Sequence, residues 1–282
     1  MFELRCTVRD CGQRLRPQDG GLSCDSGHHF DRAKEGYFSL LQPQDRKSKN
    51  PGDSDEAVLA RRSWLRRGHA AGLIEALLPW VKVSEEGAAP ARVLDLGCGE
   101  GSFGPALFCC DAELGLAAAD GYCGIDLSKR AIKLAAKGWP EATWVWANAD
   151  RTLPVADASV DQVISLFGRR PVKEIHRVLK PDGTCIVAIP GEKDLVQLRE
   201  QVQQTGRLRN RWETLIEEMA AGGLECVERK SWEQTVTLES DAIADAMAMT
   251  YRGVRHSQQA RLQELATMDV TLAADLVLLR RS

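Results

Sequence analysis

No stretch of the 282 residues approaches the run of about 18–20 apolar side chains that a membrane-spanning helix requires. The opening MFELRCTVRD is polar and lacks the apolar centre of a secretory leader. The expectation is a cytoplasmic protein with no membrane partner. Internal repeats and low-complexity tracts are missing too, which argues against a repeat array. There is no excess of basic charge either: 37 Lys and Arg against 40 Asp and Glu leave −3 at pH 7, so indiscriminate coating of nucleic acid is not expected. The charge is uneven, however. Residues 1–72 carry a balance of +3 and the remainder −6, so a polyanionic partner should meet the N-terminal part.

A disulfide framework is not expected from the nine cysteines, because a reducing compartment keeps thiols free. Cys98, Cys109, Cys110, Cys123, Cys185 and Cys226 lie scattered in or beside apolar stretches and read as buried, inert thiols. Cys6, Cys11 and Cys24 instead crowd the first 24 residues. Residues 1–40 have little apolar periodicity and many turn residues, and so small a piece cannot bury a core large enough to fold alone. The series Cys6-x4-Cys11-x12-Cys24-x3-His28 offers three soft thiolates and an imidazole, the donor set of a tetrahedral structural Zn²⁺ site. Such a metal would staple the segment. Either His28 or His29 can supply the fourth ligand, and His28 is preferred. Four protein ligands leave no open position for catalysis.

Further along, QPQDRKSKNPGDSDE (42–56) is polar, with two prolines and a glycine, and reads as an exposed, mobile loop. Residues 57–82 return to helical spacing, and SEEGAAP (84–90) breaks it. From residue 91 strand-like runs (91–97, 121–126, 143–148, 161–167, 184–190) alternate with helical ones (102–119, 128–138, 171–180, 192–205), the rhythm of a mostly parallel sheet. KPDG (180–183) reads as a tight turn. ECVERKSWEQTVTL and MDVTLAADLVLL fit an antiparallel pair closing that sheet.

In VLDLGCGEGSFG (93–104), Gly97, Gly99 and Gly101 follow a strand and precede a helix, where a ligand can approach the backbone closely. Dinucleotide proteins use similar loops. Asp95, just before the first glycine, would repel a pyrophosphate but suit a ligand amino group. Asp126 ends the next strand, where a carboxylate can accept both ribose hydroxyls. Together they fit S-adenosylmethionine, with a dinucleotide or a lost ligand as the alternatives. NADRTLPVADASVDQVI (148–164) offers Asn148 or Asp150 toward an adenine.

The series Cys…Cys…Cys-x3-His, HFDRAKEGYFSLL (29–41), PGDS (51–54), ARRSWLRRGH (60–69) and LDLGCGEGSF (94–103) resembles the 23S rRNA (guanine-N1)-methyltransferases, over nearly the whole chain. The resemblance implies an α/β fold: a Rossmann-like class I methyltransferase domain (85–282) behind a small N-terminal zinc-binding domain (1–40), joined by a basic loop and linker helix (41–84). It implies a homodimer that methylates one guanine in hairpin 35 of 23S rRNA, of the nucleotide-745 type. It carries the cofactor pocket onto Phe103 and Gly104, Asp126, Asp194 and Ala70. At Ala70 relatives often have Tyr, at Asp194 often His, the first Cys pair is wider than usual, and LFGRRP replaces a frequent Ala-Pro step.

On this reading the base arrives between Ser165 and Arg170, with Arg169 and Arg170 near it. Arg46, Lys47, Lys49, Arg61, Arg62, Arg66 and Arg67 are candidates for RNA backbone contacts, and Tyr37 and Phe38 for base stacking. No general base stands out. Two other readings are a methyltransferase of a small molecule or protein, and a noncatalytic zinc module that binds RNA beside a relic cofactor domain. Cofactor titration separates the relic from the enzymes.

Overall fold

The computed structural model describes residues 2–46, 51–82, 89–108, 119–203, 211–250 and 266–282. Lys47, Lys49, Cys109 and Cys110 lie outside the described residues, as do the end of the 102–119 helical run and the break at 84–88.

Three short strands, β1 (Arg16–Gln18), β2 (Gly21–Ser23) and β3 (His29–Asp31), form a small antiparallel sheet. The main sheet holds β4 (Phe38–Ser39), β5 (Val93–Leu96), β6 (Tyr122–Asp126), β7 (Thr143–Trp146), β8 (Val160–Leu166), β9 (Leu179–Pro190), β10 (Leu224–Glu239) and β11 (Thr267–Arg281). Its order is β10-β11-β9-β8-β5-β6-β7-β4. All neighbouring pairs from β9 to β4 are parallel, while β11 runs antiparallel to both β9 and β10. Strand order reverses direction between β5 and β8, the switch point where open parallel sheets bind ligands beyond their carboxyl ends.

The expected turn at KPDG is a bulge inside one strand. Pairing jumps from Val160–Leu179 to Gln162–Thr184, so Lys180 to Gly183 have no partner on β8, and the Lys180 ammonium reaches Asp161 at 2.8 Å.

The helical stretch after the loop is broken. Helix α1 (Asp55–Arg66) is capped by Ser54, whose hydroxyl accepts from the Ala57 N–H, with Asp55 and Glu56 in the first turn complementing the dipole. The chain then turns through Gly68 into α2 (Ala71–Leu77), and Pro79 tightens its end into a 3₁₀ turn. Helix α3 (Phe103–Phe108) follows the glycine loop, and α4 (Lys129–Gly138) is capped by Ser128.

The first 41 residues pack directly onto the large sheet. Phe2, Leu4, Leu15, Leu22, Phe30, Phe38 and Leu40 bury into the same apolar cluster as Leu94, Leu96 and Val145 of the large sheet and Leu153 of the loop after β7. The Phe2 N–H donates to Thr143 Oγ1 at 3.1 Å, the Arg5 N–H to the Pro154 carbonyl at 2.8 Å, and Phe38 and Ser39 pair with β7. The sheet edge thus supplies much of the core that 1–40 lacks.

Gly101 packs against that architecture with φ +84°. A Cβ there would lie 2.8 Å from both Ala135 Cβ and the Trp144 ring. Gly101→Ala should therefore destabilise the protein by about 2–4 kcal/mol, combining overpacking with a left-handed backbone, read as a lower urea midpoint at unchanged slope.

Candidate cofactor cleft and zinc site

The PGDS segment and α1 fold back over the carboxyl ends of β5, β6 and β8. They enclose a cleft of about 630 Å³ lined by Gly97, Gly99, Phe103, Asp126 and the 166–169 segment, a size suited to a drug-sized ligand. Most described residues of the loop read as exposed are exposed, but Gly52 and Asp53 line this site. Gly52 lies on the backbone of Ser128, Asp53 pairs with Arg61 at 2.7 Å, and the Asp45 carbonyl accepts from Asn148 Nδ2 at 3.1 Å.

Asp126 stands at the tip of β6. One carboxylate oxygen accepts from the Gly99 N–H at 2.9 Å and the other from the Ser128 N–H at 2.7 Å. A carboxylate has about four lone-pair sites, so acceptor capacity remains on both oxygens for a ribose diol. Burial raises its pKa, against the pull of those N–H donors and of Arg61. Gly99, at φ +59°, presents its missing side-chain position to the cleft, where the nearest atoms belong to the Arg61 side chain at 3.7–3.9 Å. The residues present fit a ligand with a ribose, an adenine-sized ring and an amino-acid end.

Asp95 differs from its expected place. It is 2% exposed, accepts from the Tyr122 hydroxyl at 2.5 Å and does not line the cleft. Strand alternation turns it into the packing below the glycine loop. The carboxylates that do line the cleft are Asp53, Glu100, Asp126 and Asp150. Burial, aided by Asp126, pushes the Asp95 carboxyl up to about 7 despite the Tyr122 hydroxyl. A raised folded-state value means that the proton is held more tightly folded than unfolded. The associated stability is therefore fully present below about pH 4 and lost as pH rises to about 7. Asp95→Asn should melt higher than the parent at pH 8 with the gap closing toward pH 4, read by paired thermal melts.

Four other expected pocket residues lie elsewhere, and the first, Gly101, faces Ala135 and Trp144 rather than the cleft. Gly104 packs under Tyr122 and Trp139, where a Cβ would sit 2.8 Å from the tyrosine ring. Ala70 is buried just ahead of α2. Asp194 lines a separate cavity beside Arg199 and accepts from the Ala273 N–H at 3.0 Å, with burial raising its pKa to about 6. Asn148 and Asp150 both line the cleft. Asn148 also accepts from the Asp150 N–H, and Asp150 pairs with Arg169 at 2.8 Å.

Among the RNA-facing candidates, Tyr37 and Phe38 are 3% and 5% exposed and belong to the core. Arg61 belongs to the cleft, and Arg46 lies over the Trp146 ring. Of the scattered cysteines, Cys98, Cys123 and Cys185 are buried with raised pKa values, but Cys226 is exposed on edge strand β10. Sequence reasoning covered Phe167 within the 165–170 window without singling it out, and it assigned Arg61 to RNA. No spacing reveals that α1 folds back over the glycine loop, since those contacts join elements about 40 residues apart.

The ligand atoms of Cys6, Cys11, Cys24 and His28 all lie within 4.8 Å of one another. Cys11 and Cys24 sulfurs are 3.8 Å apart, and His28 Nδ1 is 3.5 Å from the sulfurs of both Cys6 and Cys24. A tetrahedral Zn²⁺ with bonds of about 2.3 Å to sulfur and 2.0–2.1 Å to nitrogen would have edges of roughly 3.8 and 3.5 Å, so the donor set fits the ion. The wide first gap is taken up by a turn in which the Cys11 N–H returns to the Val8 carbonyl and Asp10 adopts φ +62°. Burial and the neighbouring Cys11 and Cys24 hold the Cys6 thiol at about 12, a crowding of sulfurs that a cation relieves. His29 turns away, with Nδ1 on Ser23 Oγ at 2.8 Å and Nε2 toward Asp31 at 3.4 Å.

Residues 4–49 match the family described as RlmA, N-terminal, a zinc ribbon, and residues 94–187 match a methyltransferase domain. A Streptomyces fradiae protein named 23S rRNA (guanine(748)-N(1))-methyltransferase is 33% identical over 87% of this chain and 84% of its own length. A Micromonospora griseorubida protein named for guanine-N(1) methylation of 23S rRNA is 34% identical over 73% of this chain and 70% of its own. A Bacillus halodurans methyltransferase structure superposes with a TM-score of 0.53 at 15% identity, covering 73% of this chain and 97% of that one, a likeness of fold.

Proposed function

Since the chain belongs to the 23S rRNA (guanine-N1)-methyltransferase family, we propose that it moves a methyl group from S-adenosylmethionine to N1 of a guanine in hairpin 35 of 23S rRNA. The observation that carries this reading is the pairing of a Cys₃His set with a glycine-lined cleft in one packed unit. The sequence reading favours nucleotide 745, whereas the S. fradiae relative is named for 748. A ribosomal substrate goes with a cytoplasmic location, and the family resemblance with a homodimer.

When bound, S-adenosylmethionine supplies an electrophilic methyl on sulfur. Asp126 would hold its ribose hydroxyls, Gly97 and Gly99 would leave room for its backbone approach, and Phe103 and Asn148 would flank it. Arg61 stands over Gly99 and would meet the amino-acid carboxylate in exchange for Asp53. Glu100, also lining the cleft, would face the amino group. Zn²⁺ on Cys6, Cys11, Cys24 and His28 would be structural, fixing the basic N-terminal segment.

The chain's own contribution to the chemistry is then alignment. Fixing two reactants in line can supply on the order of 7–11 kcal/mol of barrier lowering. The 165–170 segment at the end of β8 is where the unstacked base would arrive, and unstacking takes least free energy in a loop.

The test is incubation of purified protein with methyl-labelled S-adenosylmethionine and a hairpin 35 transcript, followed by nucleoside mass spectrometry. The reading expects 1-methylguanosine at one position. Label appearing only in protein or small molecules would support the non-RNA alternative instead.

A further inference from the structure

Phe167 is the one large aromatic side chain among the described residues that is markedly exposed, at 45%, and it lines the cofactor cleft. Its backbone is left-handed at φ +60°, a conformation that bulky residues rarely adopt and that persists only where the surroundings over-determine it. Here they do. The Phe167 N–H donates to the Ala188 carbonyl at 2.9 Å, Ser165 Oγ donates to the Arg169 carbonyl at 3.1 Å, and Arg170 Nη1 donates to the Gly168 carbonyl at 3.2 Å. Gly168 is pressed so close to β5 that a Cβ would lie 2.4 Å from the Leu96 carbonyl oxygen.

A phenyl ring left 45% exposed on a left-handed, locked backbone keeps much of its apolar face open to the cleft. Its position at the rim of the cleft beside Arg169 gives it a flat apolar face next to the cofactor's place. Bases taken out of a stack are received on such faces.

Resting on the rRNA reading above, we propose that Phe167 is the platform on which the target guanine stacks, holding the ring plane so that N1 meets the methyl. The phenyl takes no part in proton transfer. It supplies orientation, and its contribution should track the aromatic face rather than apolar volume.

The experiment compares the parent with Phe167→Leu, Phe167→Gly and Phe167→Trp in three measurements: single-turnover methyl transfer to the hairpin transcript, S-adenosylmethionine affinity by calorimetry, and thermal melting. Leu and Gly should lower the transfer rate at subsaturating RNA by roughly 5- to 150-fold, the range of one base–aromatic stack. Trp should stay within about threefold of the parent, as a ring with a comparable face. Cofactor affinity should be unchanged, and Phe167→Gly should melt no lower than the parent, because glycine accepts the left-handed backbone.

Full activity in Phe167→Leu would overturn the inference while leaving the rRNA reading intact. So would a loss of cofactor affinity matching the loss of rate, which would place the ring against the cofactor. No transfer by the parent itself would remove the rRNA reading and this inference with it.

Discussion

Cys24→Ser should yield protein with almost no bound zinc, a melting temperature lower by about 10 °C or more, and methyl transfer to RNA reduced at least 100-fold. The size of the effect follows from two observations. Structural Zn²⁺ contributes on the order of 10–16 kcal/mol to the folding of small zinc modules at neutral pH. A chain of this length loses roughly 2–4 °C for each kcal/mol, and the sheet core shared with Phe2, Leu4, Leu22 and Phe30 retains part of the segment's order. Cys24 is central to the donor set, within 3.8 Å of Cys11 and 3.5 Å of His28. Backbone N–H groups of His28 and Ser26 outweigh the burial that would raise its thiol, bringing it down to about 7. Cofactor affinity should change far less, since Gly97, Gly99 and Asp126 belong to β5 and β6. Metal content by elemental analysis, melting curves and cofactor calorimetry on the same preparation check the set. Retained zinc with an unchanged melt would place the metal at another site.

Asp126→Ala should weaken S-adenosylmethionine binding by about 100- to 10,000-fold. Two hydrogen bonds from ribose hydroxyls to a carboxylate are worth about 1.5–3 kcal/mol each, and each 1.4 kcal/mol is tenfold. The same change frees the Gly99 and Ser128 N–H groups and so loosens the glycine loop and the start of α4. Asp126→Asn retains one carbonyl acceptor and should fall between. Calorimetric titration reads the series directly, and an affinity within a few-fold of the parent would remove Asp126 from the ribose site.

Where the sequence was informative, the signal was local. The alternation from residue 91 marks the parallel strands because buried strands and amphipathic helices differ in period, and β6 and α4 fall almost where the pattern puts them. The ligand spacing around Cys24 and His28 forms one tight turn, which short-range sequence can encode. What escaped was set by packing between distant segments. The PGDS loop (42–56) reads as solvent-exposed from its composition, and most of its described residues are, but composition does not show that Asp53, Gly52 and Asp45 are held by α1, the Ser128 turn and Asn148. Tyr37 and Phe38 read either as base-stacking aromatics or as packing under the zinc-binding segment, and they are buried where β4 joins the edge of the large sheet. Asp95 reads as a ligand contact because it precedes the glycines, but strand alternation turns it toward Tyr122. Phe167 lies in the Ser165–Arg170 window read as the place of the base but is not singled out there, because its exposure comes from a backbone conformation fixed by β9 and β5.

Primer extension across hairpin 35 of 23S rRNA, with and without the gene for this chain, tests the central claim most directly, because an N1-methylated guanine stops reverse transcriptase. A single stop should vanish in the deletion strain and return with the parent chain but not with Asp126→Ala. An identical stop pattern in both strains would contradict the assignment of this enzyme to that RNA.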